Sequence, residues 1–311
     1  MKLSTNTVVA LIFFFFANIS SSFAEIELIK RDVWQDTVWH QWGQSNPGWL
    51  EPIGPFRIIG NIYYVGTQGI GAYLIRSEQG HILLDGGLPQ NAKQIIANIV
   101  SLGFELAQVK YLINSHAHFD HSGGLSELKR LTGAKLIASK PDAAWLENGL
   151  YPGSDEPSFY CVPVVVDQII QNGEDLKLGE NTLTAHITPG HSPGCTSWQS
   201  DALEEQVSYR VVFFCGAAVA GNQLFPKPQY LGIIQDYQTT LTTIKDWKID
   251  VYLSNHPFYF NFKEKRAAQL RGNSLAFVDS KEFALAAKTM QKDFEVNLAQ
   301  QIQDAKPTPT T

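Results

Sequence analysis

The sequence predicts an α/β protein, and two observations carry that prediction. Short runs rich in β-branched and aromatic residues alternate, through both halves of the chain, with segments whose apolar residues recur at helical spacing. Three histidine-bearing segments each follow one of the β-like runs directly, as expected when chemistry is mounted on loops at the edge of a rigid sheet. The 311 residues, 44% hydrophobic and 17% charged, suffice for a large core. A net charge of -6 without any Lys/Arg run argues against a nucleic-acid partner.

Residues 1–24 read as a secretory signal peptide. Lys2 supplies a positive start, Val8 to Ala17 is apolar but short for a bilayer span, and Ser22-Phe23-Ala24 offers small residues for cleavage. The mature protein is therefore expected in a periplasm, with no membrane contact after cleavage and as a monomer. Residues 25–55 hold Trp34, Trp39, Trp42 and Trp49 without a clear period and read as an N-terminal arm. The domain proper is expected over 56–303, and 304–311 is a Pro/Thr tail.

Strands are expected at 56–59, 62–66, 72–75 and 81–84, separated by Gly or Asn, then a helix over 91–102 with Ile95, Ile96, Ile99 and Val100 at helical spacing. The apolar strand 109–113 runs into His116-Ala117-His118-Phe119-Asp120-His121. Helix 125–131, strand 135–138 and a short helix 142–146 precede a Gly/Pro/Ser-containing loop over 149–163. Strands follow at 168–170, 182–188, 196–199 and 211–215, then helix 235–247, strand 251–254, and helices 263–271 and 281–301.

Of three cysteines, none forms a Cys-x-x-Cys pair, and an odd number leaves at least one thiol over. Cys215 ends an apolar run and is expected to be buried and inert; Cys195, four residues after His191, is a remote metal-ligand candidate; Cys161 is the one expected to be exposed.

Five of the eight histidines fall in one pattern: the six-residue motif, His191 in Thr188-Pro189-Gly190-His191, and His256 in Ser254-Asn255-His256-Pro257. His116 and His118, two residues apart, can face one ion from an extended turn. Asp120 and His121 are adjacent, so their side chains diverge and can reach a second. Imidazole and carboxylate donors suit zinc, and two ions about 3.5–4 Å apart can activate water and stabilise a leaving atom.

These motifs resemble the metallo-β-lactamase superfamily, over roughly Phe56 to Phe283, and are most similar to subclass B3. Gly60-Asn61-Ile62-Tyr63-Tyr64-Val65-Gly66, Thr188-Pro189-Gly190-His191-Ser192-Pro193-Gly194, and a second metal set of Asp, His and His carry the resemblance. It implies a four-layer αβ/βα sandwich with the site in a cleft between two β-sheets. It further implies two Zn2+ ions, the first on His116, His118 and His191, the second on Asp120, His121 and His256. The implied reaction is hydrolysis of the amide bond of β-lactams (penicillins, cephalosporins, carbapenems) by a metal-bound hydroxide that Asp120 orients.

The alternative is another di-zinc hydrolase of the superfamily acting on lactones or thioesters. Those relatives carry a metal-bridging Asp after the strand that here leads into Phe214-Cys215-Gly216-Ala217-Ala218, which holds no carboxylate. Two departures from the B3 pattern are visible: Ala217 stands where relatives often have Ser, and the Cys pair expected near Ile249 and after Val278 is missing. By the same resemblance, Asp85 orients an imidazole; as a residue before Gly86-Gly87 it equally reads as a turn cap. Asn222 is a candidate for a substrate carboxylate. Trp39, Tyr151 and Phe159 are candidates to flank the cleft, or else pack the arm onto the body. His81 and His186, inside strand-like runs, read as structural.

Overall fold

A computed structural model describes residues 45–150 and 161–306. Two sheets form the centre. The first has seven strands in chain order: β1 (Phe56–Ile59), β2 (Ile62–Tyr64), β3 (Tyr73–Ser77), β4 (Gly80–Leu84), β5 (Val109–Ile113), β6 (Lys135–Ser139) and β7 (Gln168–Ile170). Its first four strands form an antiparallel meander, and β4 to β7 run parallel. The second sheet runs β12 (Val251–Ser254), β11 (Val207–Phe214), β10 (Thr196–Glu204), β9 (Asn181–Ile187), β8 (Asp175–Leu178). Only its β11–β12 pair is parallel.

The parallel strands need crossover connections, and helices α1 (Asn91–Ser101), α2 (Phe119–Ser122), α3 (Leu125–Thr132) and α4 (Lys140–Asn148) supply them. Both faces of the first sheet are buried, and the period of two divides its side chains. Ile75, Ile82, Leu84, Ile113 and Ile137 join the core shared with Trp198, Val212 and Phe214 of the second sheet. Leu74, Leu83, Leu112 and Leu136, on the opposite face, pack with Ile95 and Ile99 of α1 and Leu125 and Leu128 of α3. Helices α5 (Ile233–Ile244), α6 (Phe262–Leu270) and α7 (Glu282–Asp304) complete the chain. Phe283 of α7 meets Phe214 and Tyr252, and Tyr237 of α5 stacks on Phe294 of α7. The result is the expected helix–sheet–sheet–helix sandwich. No described helix is long and apolar enough to cross a membrane.

The compact body includes Asn46 to Leu50 ahead of β1, and helix α7 runs to Asp304. The structure corrects expectations elsewhere in the chain. The hairpin β10–β11 extends well past Gln199, turning at Glu205 (φ 48°) and Gln206 (φ 67°). Left-handed turn positions usually advertise themselves as Asn or Gly, so this polar stretch reads as a loop. Cys195 and Cys215 are joined by a disulfide, which removes Cys195 as a metal candidate and replaces the free buried thiol expected at Cys215. Where a late Cys pair is absent, Asp279 N–H donates to Asp250 O at 2.8 Å and ties the two segments. The signal segment, Trp39, Tyr151 and Phe159 lie outside the described residues.

Candidate metal centre

The ends of β5, β9 and β12 deliver all six candidate ligands to one edge of the sandwich. After β5 the chain bends at Ser115 and Ala117, on either side of His116, is extended at His118, and turns into α2, which carries Asp120 and His121. His191 sits in the loop between β9 and β10, and His256 directly follows β12. His116, His118 and His191 offer ligand atoms within 4.8 Å of one another, and so do Asp120, His121 and His256. The His116 and His121 rings lie 4.6 Å apart and join the two sets into one cluster. His116, His118, Asp120 and His121 are buried; His191 and His256 are half-buried and mark the accessible side.

Backbone and side-chain contacts fix which ring nitrogens face inward. His191 Nδ1 lies 2.8 Å from Ala218 O and His256 Nδ1 lies 3.1 Å from Gly69 O, so each ring donates there and turns Nε2 to the cluster. Ser115 Oγ lies 3.0 Å from His116 Nδ1, while His116 Nε2 is buried with no hydrogen-bond partner among the described residues. In the second set Asp120 Oδ2, His121 Nε2 and His256 Nε2 converge at 3.2–3.3 Å. Orphaned or mutually facing nitrogens in a buried site cost free energy unless something shared satisfies them. A pair of divalent cations fits that description.

The electrostatics agree. Burial, reinforced by the neighbouring imidazoles, holds His116 and His118 well below the usual histidine range, and burial takes His191 down to about 4. All three are therefore neutral donors, the form a metal requires. Burial opposes ionisation of Asp120, but His121 and His256 outweigh it and hold the carboxyl well below its ordinary value. Three neutral imidazoles beside a set containing one anion form a donor arrangement suited to dinuclear metal binding.

Asp85 is at the site. It directly follows β4 with φ 64°, is 1% exposed, and accepts from Ser115 N–H at 2.7 Å and Ser115 O–H at 2.8 Å. The Oδ2 that accepts from the Ser115 hydroxyl also faces His121 Nδ1, at 3.9 Å, beyond hydrogen-bond reach. It therefore acts on the backbone just before His116 more than on an imidazole. Burial pushes its carboxyl up to about 6 against those contacts.

Asn222 packs against the His191 loop. It is 4% exposed, and its amide donates to His191 O at 2.9 Å and Tyr237 Oη at 3.1 Å. It braces the His191 loop. Ala217 is buried and brings no hydroxyl to the cleft. Cys161 is half-buried, with Sγ 3.3 Å from Ser122 Oγ, and burial pushes its thiol up to about 12. His81 and His186 pack against Phe104 and Trp247, away from the cluster.

Two aromatic residues at the site gave no sequence signal. Trp49 stacks on the His256 ring at 5.6 Å and also touches Phe119. Phe258, 68% exposed, stacks on His256 at 5.3 Å. Together they make an apolar flank beside the second set.

Comparison with known proteins agrees with this geometry. The family model of the metallo-beta-lactamase superfamily matches residues 66–202. The chain is similar to BJP-1, a subclass B3 metallo-beta-lactamase of Bradyrhizobium japonicum: 42% identical, TM-score 0.81, covering 83% of this chain and 98% of that one. It is also similar to the FEZ-1 metallo-beta-lactamase from Legionella gormanii, 33% identical with a TM-score of 0.78, covering 81% of this chain and 97% of that one. An N-acyl homoserine lactonase from Bacillus thuringiensis is 27% identical over 215 residues, 61% of this chain and 79% of that protein.

Proposed function

The chain belongs to the metallo-β-lactamase superfamily as one of its hydrolases, and on that premise we propose that it is a zinc-dependent β-lactamase most similar to subclass B3. The observation that carries the reading is the pair of donor sets, three imidazoles beside Asp120, His121 and His256, joined into one cluster. Bound zinc ions supply Lewis acidity and lower the pKa of water. The protein's own part is to hold neutral His116, His118 and His191 with their lone pairs converging, and to present the Asp120 carboxylate beside them. Trp49 and Phe258 exclude water from one flank of the cleft and offer an apolar surface to a substrate side chain.

A second reading, hydrolysis of homoserine lactones, is favoured by the 27% identity to a lactonase. Against it, the loop after β11 runs Cys215-Gly216-Ala217-Ala218 and presents a disulfide and backbone where a bridging carboxylate would be needed. Purified protein is expected to hydrolyse nitrocefin and a carbapenem, to lose that activity in a chelator and to regain it with zinc. Turnover of an acyl homoserine lactone with none on either β-lactam would select the second reading; β-lactam activity that survives chelation would remove the metal mechanism. Export to the periplasm and a monomeric state belong to the same proposal, tested by N-terminal sequencing of the mature protein and by its hydrodynamic mass.

A further inference from the structure

Asp142 occupies the first turn of α4, where an acidic side chain ordinarily serves its own helix or faces water. Instead it is 0% exposed and turned into the body. Its Oδ2 accepts from Ala117 N–H at 2.9 Å, and both oxygens lie 3.3 Å from Ser192 Oγ. The Gly194 N–H also donates to it. Ala117 is the residue between His116 and His118, and Ser192 and Gly194 follow His191 by one and three residues.

The contact is built from both sides. A Cβ on Gly194 would fall 2.2 Å from Asp142 Oδ1 and 2.4 Å from Ser139 Oγ, so only glycine lets this backbone approach. Ser139, the N-cap of α4, donates to Gly194 O at 2.7 Å, and Thr196 Oγ1 donates to the same oxygen at 2.8 Å.

We propose that Asp142 is a positioning residue for the three-histidine set: one buried carboxylate ties the backbone between His116 and His118 to the loop of His191, so that the two segments meet a metal as one pre-formed unit. The inference rests on the reading of these histidines as metal ligands. The groups facing Asp142 are neutral, two amides and a hydroxyl, and burial pushes its carboxyl up to about 7 despite them. A buried anion without a cation is a poor structural staple. A divalent cation held by the three neutral imidazoles would favour the ionised carboxylate.

The test measures zinc affinity site by site. Asp142→Asn is placed in a His256→Ala background, which leaves only the three-histidine set, and in a His118→Ala background, which leaves only Asp120, His121 and His256. Competition with a chromophoric chelator gives each affinity, and the cobalt(II) absorption spectrum reports ligand geometry. The expected result is an affinity about 10–100-fold lower at the three-histidine set, an altered cobalt spectrum there, and less than threefold change at the other. Ser192→Ala, which removes a single donor, is the milder variant should Asp142→Asn fold poorly, and is expected to shift the same site in the same direction. Equal losses at both sites, or unchanged affinity at the three-histidine set in either variant, would overturn the proposal. Absence of zinc binding by the unsubstituted protein would instead sink the metal-site reading itself.

Discussion

The two halves of the donor cluster are held by different physics. His116, His118 and His191 are fixed through polar contacts behind them: Asp85 on Ser115, Asp142 on Ala117, Ser192 and Gly194, and Ala218 O on the His191 ring. Apart from its inward Nε2, which meets Asp120 and His121, His256 is held by one backbone acceptor, Gly69 O, and by the stacked rings of Trp49 and Phe258. Hydrogen bonds to a buried carboxylate are directional and costly to leave unmade, whereas ring stacking tolerates small slides. The first set is therefore expected to be the rigid one and the second the adaptable one.

The largest expected effect comes from breaking the rigid half outright. His116→Ala should cost more than the ~100-fold in metal affinity typical of a residue that only supports a ligand, with hydrolysis falling in step. Equilibrium dialysis with metal analysis checks it, and full zinc occupancy in this variant would contradict the ligand assignment. Asp85→Asn comes next. It disturbs the backbone ahead of His116 and removes a carboxylate facing His121, so both sets should weaken, by about 10–100-fold. Loss confined to one set would show that Asp85 serves only that half. Trp49→Ala is smaller, about 0.5–1.5 kcal/mol, read as a few-fold weaker second zinc with the three-histidine set unchanged. If Trp49→Ala weakens both sets alike, the contrast between a polar half and an aromatic half is wrong.

The six donors were legible in the sequence because four of them crowd into six residues and the other two each close an apolar run. Local density of rare groups survives without knowledge of the fold. What escaped depends on long-range approach. Asp142 looks like any acidic residue after Pro141 at a helix start, and nothing near it in sequence announces partners 25 and 50 residues away. Trp49 is one of four tryptophans in the N-terminal segment; Trp39 was the equally plausible choice, and only the fold puts Trp49 against His256. The disulfide had a recoverable signal. With β10 and β11 recognised as one hairpin, the pairing of Trp198 with Phe213 places Cys195 and Cys215 nearly opposite. Taking the hairpin's polar half for a loop hid that register. The contacts of Asn222 escaped for a related reason: its amide donates to Tyr237 and the His191 backbone, from elements distant in sequence.

The smallest expected effect lies in neither half, and its use is to separate general stability from site rigidity. Glu204, at the end of β10, accepts from Arg57 Nη1 at 2.5 Å, Arg57 Nη2 at 3.1 Å and Gly60 N–H at 2.7 Å, and so links the two sheets far from the donors. The Arg57 hydrogen bond, against partial burial, holds its carboxyl below the usual glutamate value of 4.5. Between the folded and unfolded values the unfolded chain binds more protons, so stability rises with pH across that window. The contribution is complete above about pH 4.5 and is lost as pH falls through the lower folded value. Arg57 is 46% exposed, so screening keeps the total below about 1 kcal/mol. Denaturant melts of Glu204→Gln and the unsubstituted protein should differ at pH 6–7 and converge under acid, with zinc affinity equal throughout. A variant that lowers zinc affinity from this distance would mean that inter-sheet packing, and not the local carboxylates, sets the rigidity of the three-histidine set.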